Sequence, residues 1–394
     1  MDEPPSRIAP QAPGATAVAL AGLAALAIAM GVGRFAFTPI LPMMQDAQGV
    51  SLAQGGWLAA ANYAGYLAGA LAAMRAGAYS NAIRGSLAAV AATTIAMGFA
   101  DSFAAWALLR FAAGVASALV LVSVSAWSLA RLAALGRPLA GGIVFAGVGA
   151  GIAAAGLACL ALGEAGAGPA QAWIVLGVAS LALALAIWPA FVPCAHPQAQ
   201  APVAPPRAPA SRPARKLLAC YGAFGFGYIV PATFLPAMAR QALDDPSRYG
   251  WSWPVFGIAA MASTFAAAAV RGRLGDRRTW IAAHALMAAG VALPLAWHGP
   301  AALVASALLV GGTFMVATMA GMQEARRVGG ASAPRLMAAM TAAFATGQIA
   351  GPVLVALLGQ RPDAVALPLA AAALALLASA AWLALPDPQP RKPS

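Results

Sequence analysis

The chain has 394 residues, of which 62% are hydrophobic and only 9% are charged, and its mean hydropathy is +0.79. Soluble domains carry about one-quarter charged residues, so this composition excludes an ordinary soluble globular protein. The formal net charge of +12 would suit a nucleic-acid binder, but the placement of the basic residues, described below, accounts for the charge without such a partner.

Apolar runs of about 20 residues, the length that crosses a hydrocarbon core, recur along the chain. The twelve predicted segments are 15–43, 53–74, 85–100, 103–130, 138–162, 171–192, 217–239, 251–270, 279–297, 300–323, 337–359 and 364–385. They lack period-two alternation, so helices rather than barrel strands are expected to satisfy the backbone in lipid. The first run is too long for a cleaved signal peptide, and eleven similar runs follow it. The sequence therefore predicts an all-α membrane protein with twelve transmembrane helices.

The first segment contains GVGRFAFTPILP, in which Arg34 follows Gly31 and Gly33 and precedes Pro39. A charged side chain in the hydrocarbon core is unfavourable, so Arg34 is expected to face protein or a water-filled cavity. Counting from the outer helix ends places Arg110, in the fourth segment, at a similar depth.

No carboxylate lies in the interior of any predicted segment, so Arg34 and Arg110 lack an obvious buried counter-ion. A guanidinium stays protonated and binds carboxylate or phosphate through paired hydrogen bonds, which makes both arginines candidate contacts for an anionic substrate. The alternatives are that they cap backbone carbonyls at a helix break, or pair with an acid at a helix end such as Asp46 or Asp101.

Other polar side chains at membrane depth are Asn62 and Tyr66 in segment two and Gln348 in segment eleven. Asn62 and Tyr66 are four residues apart and share a helix face. These three are candidate substrate contacts, and hydrogen bonding between helices is the alternative. The tryptophans near segment ends are predicted to be interfacial anchors, namely Trp57, Trp106, Trp173, Trp251, Trp253, Trp280 and Trp297.

Residues 193–216 hold seven prolines and four basic residues, a composition typical of a solvated, semi-extended linker. The linker divides the chain into an N-terminal six-helix bundle, 1–192, and a C-terminal six-helix bundle, 217–394. If the N-terminus is cytoplasmic, 18 of the 23 Lys and Arg fall in cytoplasmic segments and three in outside loops. This asymmetry follows the positive-inside rule and predicts that both termini are cytoplasmic.

The two predicted bundles share a repeat. GVGRFAFTPILPMM (31–44) aligns without gaps with GFGYIVPATFLPAM (225–238) at an offset of 194. The alignment pairs Arg34 with Tyr228, which is a further candidate substrate contact. A second match, at an offset of 200, relates Gly147 and Gly151 in segment five to residues of segment eleven, namely Gly347, Gly351 and Pro352. Glycines at such spacing allow close helix contacts. They indicate either static packing or two bundles that rock in alternating access.

Taken together, these features resemble the major facilitator superfamily over essentially the whole chain. GRLGDRR (272–278) is similar to the superfamily's cytoplasmic loop motif, with Gly272, Asp276 and Arg277 at matching places, whereas the equivalent first-half loop has Asn81 where an aspartate is usual. LRFAAG (109–114) resembles the family's Arg-Phe-x-x-Gly pattern, and GQIAGP (347–352) resembles a motif of exporters. GRFAFTPILP resembles the first helix of the bacterial YbfB-type branch. The resemblance implies a transporter whose segments one and four line a central cavity.

The sequence thus predicts a secondary active transporter that moves a small, anionic organic solute across a bacterial inner membrane by alternating access. A drug or metabolite exporter for neutral or cationic amphiphiles and a non-transporting membrane sensor are the alternatives. No enzyme is expected, because His196, His284 and His298 are dispersed and no phosphate-binding loop is present. We expect a monomer in the lipid bilayer, with a small-molecule substrate, no cofactor, no metal and no nucleic acid. Protons are a candidate coupling ion, with His284, Asp46 and Glu324 as candidate carriers.

Overall fold

A computed structural model describes residues 13–76, 80–191, 211–242, 250–297, 299–359, 361 and 363–386. Within these ranges the regular structure is entirely helical. The α-helices are α1 (Ala15–Leu26), α2 (Phe37–Gln48), α3 (Leu52–Ala76), α4 (Ser80–Met97), α5 (Phe103–Ala134), α6 (Gly141–Glu164), α7 (Pro169–Ile187), α8 (Arg212–Ala242), α9 (Ser252–Leu274), α10 (Asp276–Ala296), α11 (Pro300–Gly329), α12 (Ala333–Leu358) and α13 (Ala366–Ala384). Every predicted segment contains a helix, and the first segment contains two.

Length and apolar composition mark eight ranges of the described chain as candidate membrane spans. They are Ala15–Gln48, Phe103–Ala134, Pro138–Glu164, Pro169–Ala190, Arg212–Arg240, Asp276–Ala296, Pro300–Leu358 and Ala366–Ala384. The range Pro300–Leu358 covers both α11 and α12. Two further apolar helices, Ala82–Met97 and Ser252–Ala267, are shorter. The protein is therefore a multi-pass helical membrane protein, while the count of twelve crossings stays a prediction.

One expected boundary changes. The sequence predicts a linker that ends at 216, but α8 begins at Arg212, so the last five residues of the expected linker belong to the second half's first helix. Ser211 accepts a hydrogen bond from the backbone N–H of Ala214 at 3.3 Å, which satisfies one free donor in the first turn. Residues 193–210 lie outside the described residues.

The two halves pack their matching helices in the same way. Gly31 lies against the backbone of Gly151 where α6 meets the first segment, and Gly225 lies against the backbone of Phe344 where α8 meets α12. Gly347 in turn lies against the backbone of Gly222. A Cβ at any of these glycines would overlap the facing main chain, so the repeated glycines are required for close helix packing within each half.

Among the described residues, the most extensive contacts between the halves are made by α3 with α12, α6 with α9, and α2 with α8. Gly149 of α6 and Gly257 of α9 face each other, and a Cβ on either would meet the other's carbonyl oxygen. On α3, Gly56 lies against the carbonyl oxygen of Pro352. Close backbone contact therefore joins the halves as well as the helices within each half.

The first predicted segment is broken at its middle. α1 and α2 are separated by a π-helical turn, Ala27–Val32, and a tight turn over 33–36. The π-turn is visible in the N–H groups of Gly33 and Phe35, which donate five residues back to Ile28 and Met30 at 2.9 and 3.1 Å. Arg34 thus lies at a helix break rather than within a regular helix.

Pro39 contributes to this break, because proline has no N–H to donate to the carbonyl of Phe35 four residues earlier. That carbonyl accepts instead from the N–H of Thr38 at 3.1 Å. Thr38 would otherwise donate to the carbonyl of Arg34, which therefore needs another donor. In the repeat, Pro39 aligns with Thr233 of the second half, and α8 continues through Thr233 without a break. The repeat is thus broken in one half and continuous in the other.

Candidate functional site

The Arg34 side chain lies in an aromatic enclosure. It is 2% exposed, and its guanidinium carbon lies 4.1 Å from the ring centre of Tyr66, 5.0 Å from that of Tyr63 and 5.2 Å from that of Phe35. Aromatic faces attract a cation, but they do not accept the directional hydrogen bonds that N–H groups require. Among the described residues, Nε and Nη2 of Arg34 have no hydrogen-bond partner.

Arg110 has a different environment. From α5 its Nη2 donates to the carbonyl of Arg34 at 2.9 Å and its Nη1 to the carbonyl of Gly33 at 3.2 Å. Its guanidinium carbon lies 5.0 Å from the ring centre of Phe37 and 5.9 Å from that of Trp173. These are the contacts of the helix-break alternative, in which an arginine caps backbone carbonyls.

Asn62 supports the same break from α3. Its Nδ2 donates to the carbonyl of Gly33 at 3.3 Å and to the carbonyl of Arg110 at 2.8 Å, and the residue is fully buried. Its neighbour Tyr66, one turn along, contacts Arg34 instead. The helix face that Asn62 and Tyr66 share therefore contacts both the backbone at the break and the charged side chain.

The second half presents an aromatic wall built from α8, α11 and α12. The Tyr228 ring stacks on Phe314 at 4.7 Å and on Phe344 at 5.5 Å, with an angle of only 10° to the latter. Gln348 donates from Nε2 to the Tyr228 hydroxyl, and its Oε1 is buried without a partner among the described residues. Tyr63, whose ring flanks Arg34, bonds Thr233 of α8, so the helix that carries Tyr228 contacts the aromatic enclosure.

Two hydrogen bonds join the halves beside this region. The Thr38 hydroxyl donates to the carbonyl of Ala232 at 2.9 Å, and the Tyr63 hydroxyl bonds that of Thr233 at 2.9 Å. Thr38 and Ala232 are 194 residues apart, which is the offset of the repeat. Arg34 and Tyr228 are each four residues earlier in the chain, so this aligned pair is close in sequence to the contact.

A family model described as "Uncharacterised MFS-type transporter YbfB" matches residues 26–384. This chain belongs to the YbfB-type family of the major facilitator superfamily. No curated protein matches it.

Among solved structures, the YbfB-type chain is similar to a mutant form of the nucleoside transporter NupG and to a D-xylose–proton symporter. NupG is 13% identical with a TM-score of 0.68, and the match covers 93% of this chain and 97% of NupG. The symporter is 11% identical with a TM-score of 0.72, and the match covers 94% of this chain and 98% of the symporter. At such identities the likeness shows the fold alone, which is that of the superfamily.

The loop motif at 272–278 makes its described contacts within the second half. Asp276 begins α10 and pairs with Arg271 at the end of α9. Arg277 donates from Nε and Nη2 to the carbonyls of Leu383 and Leu385, at 2.8 and 3.0 Å. Gly272 has open space where a Cβ would lie. The motif thus ties the α9–α10 turn to the end of α13. The side chain of its first-half equivalent, Asn81, lies outside the described residues.

Two of the candidate proton carriers, His284 and Glu324, have hydrogen-bond partners of their own. His284 is fully buried, accepts from Trp280 Nε1 at 2.7 Å and bonds the Ser379 hydroxyl through Nδ1 at 3.0 Å, as a satisfied structural histidine does. Glu324, 2% exposed, accepts from Arg327 at 2.9 Å. The described chain holds no cluster of His, Cys, Asp or Glu suited to a metal ion.

Sequence reasoning missed part of the site. Trp173, Trp253 and Trp280, predicted to lie at the membrane interface, are at most 2% exposed, because tertiary packing rather than position along the helix decided their burial. Phe314 and Phe344 do not stand out in the sequence, since an isolated phenylalanine in an apolar helix carries no signal. Thr233 could have been identified from the sequence, because it aligns with Pro39 in the repeat.

Proposed function

We propose that this facilitator is a secondary active transporter that moves a small organic anion across the bacterial inner membrane by alternating access. The observation that carries the proposal is Arg34, which is a buried guanidinium with two N–H positions that no described residue accepts. A buried charge without a partner is unfavourable, so an anionic substrate that pairs with Arg34 gains binding energy from relieving it.

The placement of the described carboxylates supports the proposal that the counter-ion of Arg34 comes from the substrate. Asp46 pairs with Arg240, Glu324 with Arg327, and Asp276 with Arg271. Asp363 pairs with Arg361, and Asp101 and Glu164 are exposed at helix ends. None of these six lies against Arg34. Within the described chain, the guanidinium of Arg34 is flanked by the rings of Tyr66, Tyr63 and Phe35 and pairs with no carboxylate. A ligand carboxylate would therefore be its strongest acceptor.

The two arginines have separate roles in this proposal. Arg34 binds the substrate anion, and Tyr66, Tyr228 and Gln348 shape the space around it. Arg110 and Asn62 are positioning residues, because both use their N–H groups on carbonyls at the break that presents Arg34. In this proposal the break in the first segment leaves the carbonyls of Gly33 and Arg34 available to accept hydrogen bonds from Arg110.

Alternating access requires the two halves to separate on one side of the substrate at a time. In this structure the halves are joined through Thr38 and Ala232 beside Arg34, and through Asp46 and Arg240 at the adjacent helix ends. With cytoplasmic termini, this joined side would be periplasmic. Coupling to protons, and a monomeric state, are part of the same proposal.

The test is uptake of radiolabelled organic anions into proteoliposomes that contain the purified full-length protein. Arg34→Gln is expected to abolish saturable uptake, and Arg34→Lys to retain part of it, because Lys keeps the charge without the paired donors. Arg361→Gln, which changes an exposed arginine paired with Asp363, is the matched control and is expected to transport normally. Wild-type rates of anion uptake in Arg34→Gln would refute the anion assignment.

A second candidate function, export of neutral amphiphiles, has one observation in its favour. A wide-open apolar cavity of about 410 Å³ lies at the surface between the halves, lined by Trp57, Ala60, Ala61, Ala64, Phe103, Ala107, Ile349 and Val353. No charged side chain lines it, so it suits an uncharged apolar molecule. Resistance profiling of a deletion strain, with Ala64→Trp as the variant that fills the cavity, separates export from anion transport. A sensor would bind anions without any flux in the same proteoliposomes.

A further inference from the structure

Resting on the proposed function, we infer that the transported anion is an aromatic monocarboxylate. The first half binds its carboxylate through Arg34, and the second half binds its ring through the wall formed by Tyr228, Phe314 and Phe344. The inference names the substrate class of the proposed site, and it depends on charge, on ring geometry and on the alignment of the two halves.

The charge argument concerns how many carboxylates of a substrate can find a pair of N–H donors. Both terminal nitrogens of Arg110 donate to the carbonyls of Gly33 and Arg34, and its guanidinium lies over Phe37 and Trp173. Arg34 keeps both Nε and Nη2 free, which is the edge that a carboxylate binds through two parallel hydrogen bonds. Among the described residues Arg110 keeps only its Nε unpartnered, so a second carboxylate would find no second pair of donors.

The ring argument concerns the aromatic wall of the second half. Tyr228, Phe314 and Phe344 form a stack, and Phe344 also packs on Phe224 at 5.0 Å. Phe344 is only half-buried, whereas Tyr228 and Phe314 are buried. On the other side, Tyr63 and Tyr66 flank Arg34. A flat ring that enters between these surfaces gains offset or edge-on aromatic contacts that a saturated ring of similar size does not.

The alignment argument places charge and ring together. Arg34 and Tyr228 occupy matching positions of the repeat, and the halves are joined four residues further along each chain segment by the hydrogen bond from Thr38 to Ala232. Matching positions of the repeat therefore supply the cation, Arg34, in the first half and an aromatic ring, Tyr228, in the second. A ligand that spans the two halves meets both, as a ring bearing a single carboxylate would.

Binding to the purified full-length protein tests the inference with four probes at pH 7.5, measured by calorimetry. Benzoate has the ring and one charge, cyclohexanecarboxylate has the charge without the aromatic ring, phthalate has two charges, and benzamide has none. Benzoate is expected to bind about three- to tenfold more tightly than cyclohexanecarboxylate. Phthalate and benzamide are expected to bind at least about tenfold more weakly than benzoate.

Variants separate the two contributions. Phe344→Leu keeps an apolar side chain and is expected to remove the preference for benzoate over cyclohexanecarboxylate while both still bind. Phe265→Leu, which changes an exposed aromatic on α9 outside the site, is the matched control and is expected to keep the preference. Arg34→Gln is expected to lose both carboxylates, and Arg34→Lys to regain part of each affinity.

The outcomes distinguish this inference from the proposed function. Equal affinities for benzoate and cyclohexanecarboxylate, tighter binding of phthalate, or no binding of benzoate at all would overturn the aromatic monocarboxylate. If both carboxylates bind alike and Arg34→Gln loses both, the proposed anion transporter stands and the aromatic class is wrong. If Arg34→Gln binds every carboxylate as the parent does, both the inference and the proposed function are wrong.

Discussion

Asp46 and Arg240 form an ion pair between the two halves, and they are 194 residues apart, the same offset that aligns Arg34 with Tyr228. Thr38 and Ala232 are related by that offset as well and are hydrogen-bonded. Residues related by a pseudo-two-fold axis can touch each other only where they lie beside that axis. α2 and the end of α8 therefore meet along the axis of the repeat, on the side of the protein that is closed in this structure.

Breaking the Asp46–Arg240 pair is expected to favour opening of this side. An exposed ion pair contributes roughly 0.2–1 kcal/mol, so Asp46→Asn should raise the open population by up to about fivefold. Distances between spin labels on α2 and α8 report that population. The charge-reversed double variant, Asp46→Arg with Arg240→Asp, is expected to restore closure. The exposed pair Arg361–Asp363 is the control, and an effect of its removal as large as that of Asp46→Asn would argue against a gate.

The two membrane arginines are expected to differ in their effects on stability. Arg110→Gln leaves the carbonyl of Arg34 without its donor, while that of Gly33 keeps Asn62, so the free energy of unfolding should fall by about 1–3 kcal/mol. Arg34→Gln removes a buried charge with unpartnered N–H groups, so stability without substrate should stay the same or rise. Thermal unfolding in detergent measures both. An equal loss of stability in the two variants would mean that Arg34 is structural.

Gly257 is expected to control how closely the halves approach. In Gly257→Ala the new Cβ meets the backbone of Ala153 and Gly149, neither of which can move by a change of side-chain rotamer. The closed state should therefore be destabilised, with a lower transport rate and unchanged binding of substrate to Arg34. Gly312→Ala is the control, because a Cβ there meets nothing within 4 Å. Parent-like transport by Gly257→Ala would show that this contact is not needed for closure.

Pro39→Ala tests the purpose of the broken helix. The introduced alanine would supply an N–H for the carbonyl of Phe35, which frees the N–H of Thr38 to donate to the carbonyl of Arg34 in competition with Arg110. Helix propensity should then favour a regular helix, by up to about 3 kcal/mol in an interior position. We expect equal or higher thermal stability together with weaker binding of the anion. Stronger or unchanged anion binding in a stabilised variant would contradict the idea that the break presents Arg34.

Much of the site was visible in the sequence because the membrane makes charge conspicuous. Arg34 and Arg110 stand out in apolar runs, and the repeat singled out Tyr228. The sequence left two roles open for Arg110, and the contacts with the carbonyls of Gly33 and Arg34 favour the structural one. Those carbonyls become available only when the helix breaks, and no residue pattern shows which direction a long guanidinium side chain takes.

The sequence by itself determined the helical membrane fold and the repeated glycines, because the hydrocarbon core demands apolar length and close packing demands small residues. It also determined that Arg34 needs a partner, since a charge among apolar residues is unfavourable wherever it points. Only the tertiary structure decided which aromatic rings surround Arg34, that Trp173 and Trp280 are buried, and that Asp46 meets Arg240. These depend on how helices distant in the chain are rotated towards one another, and that rotation is set by the packing of all of them together.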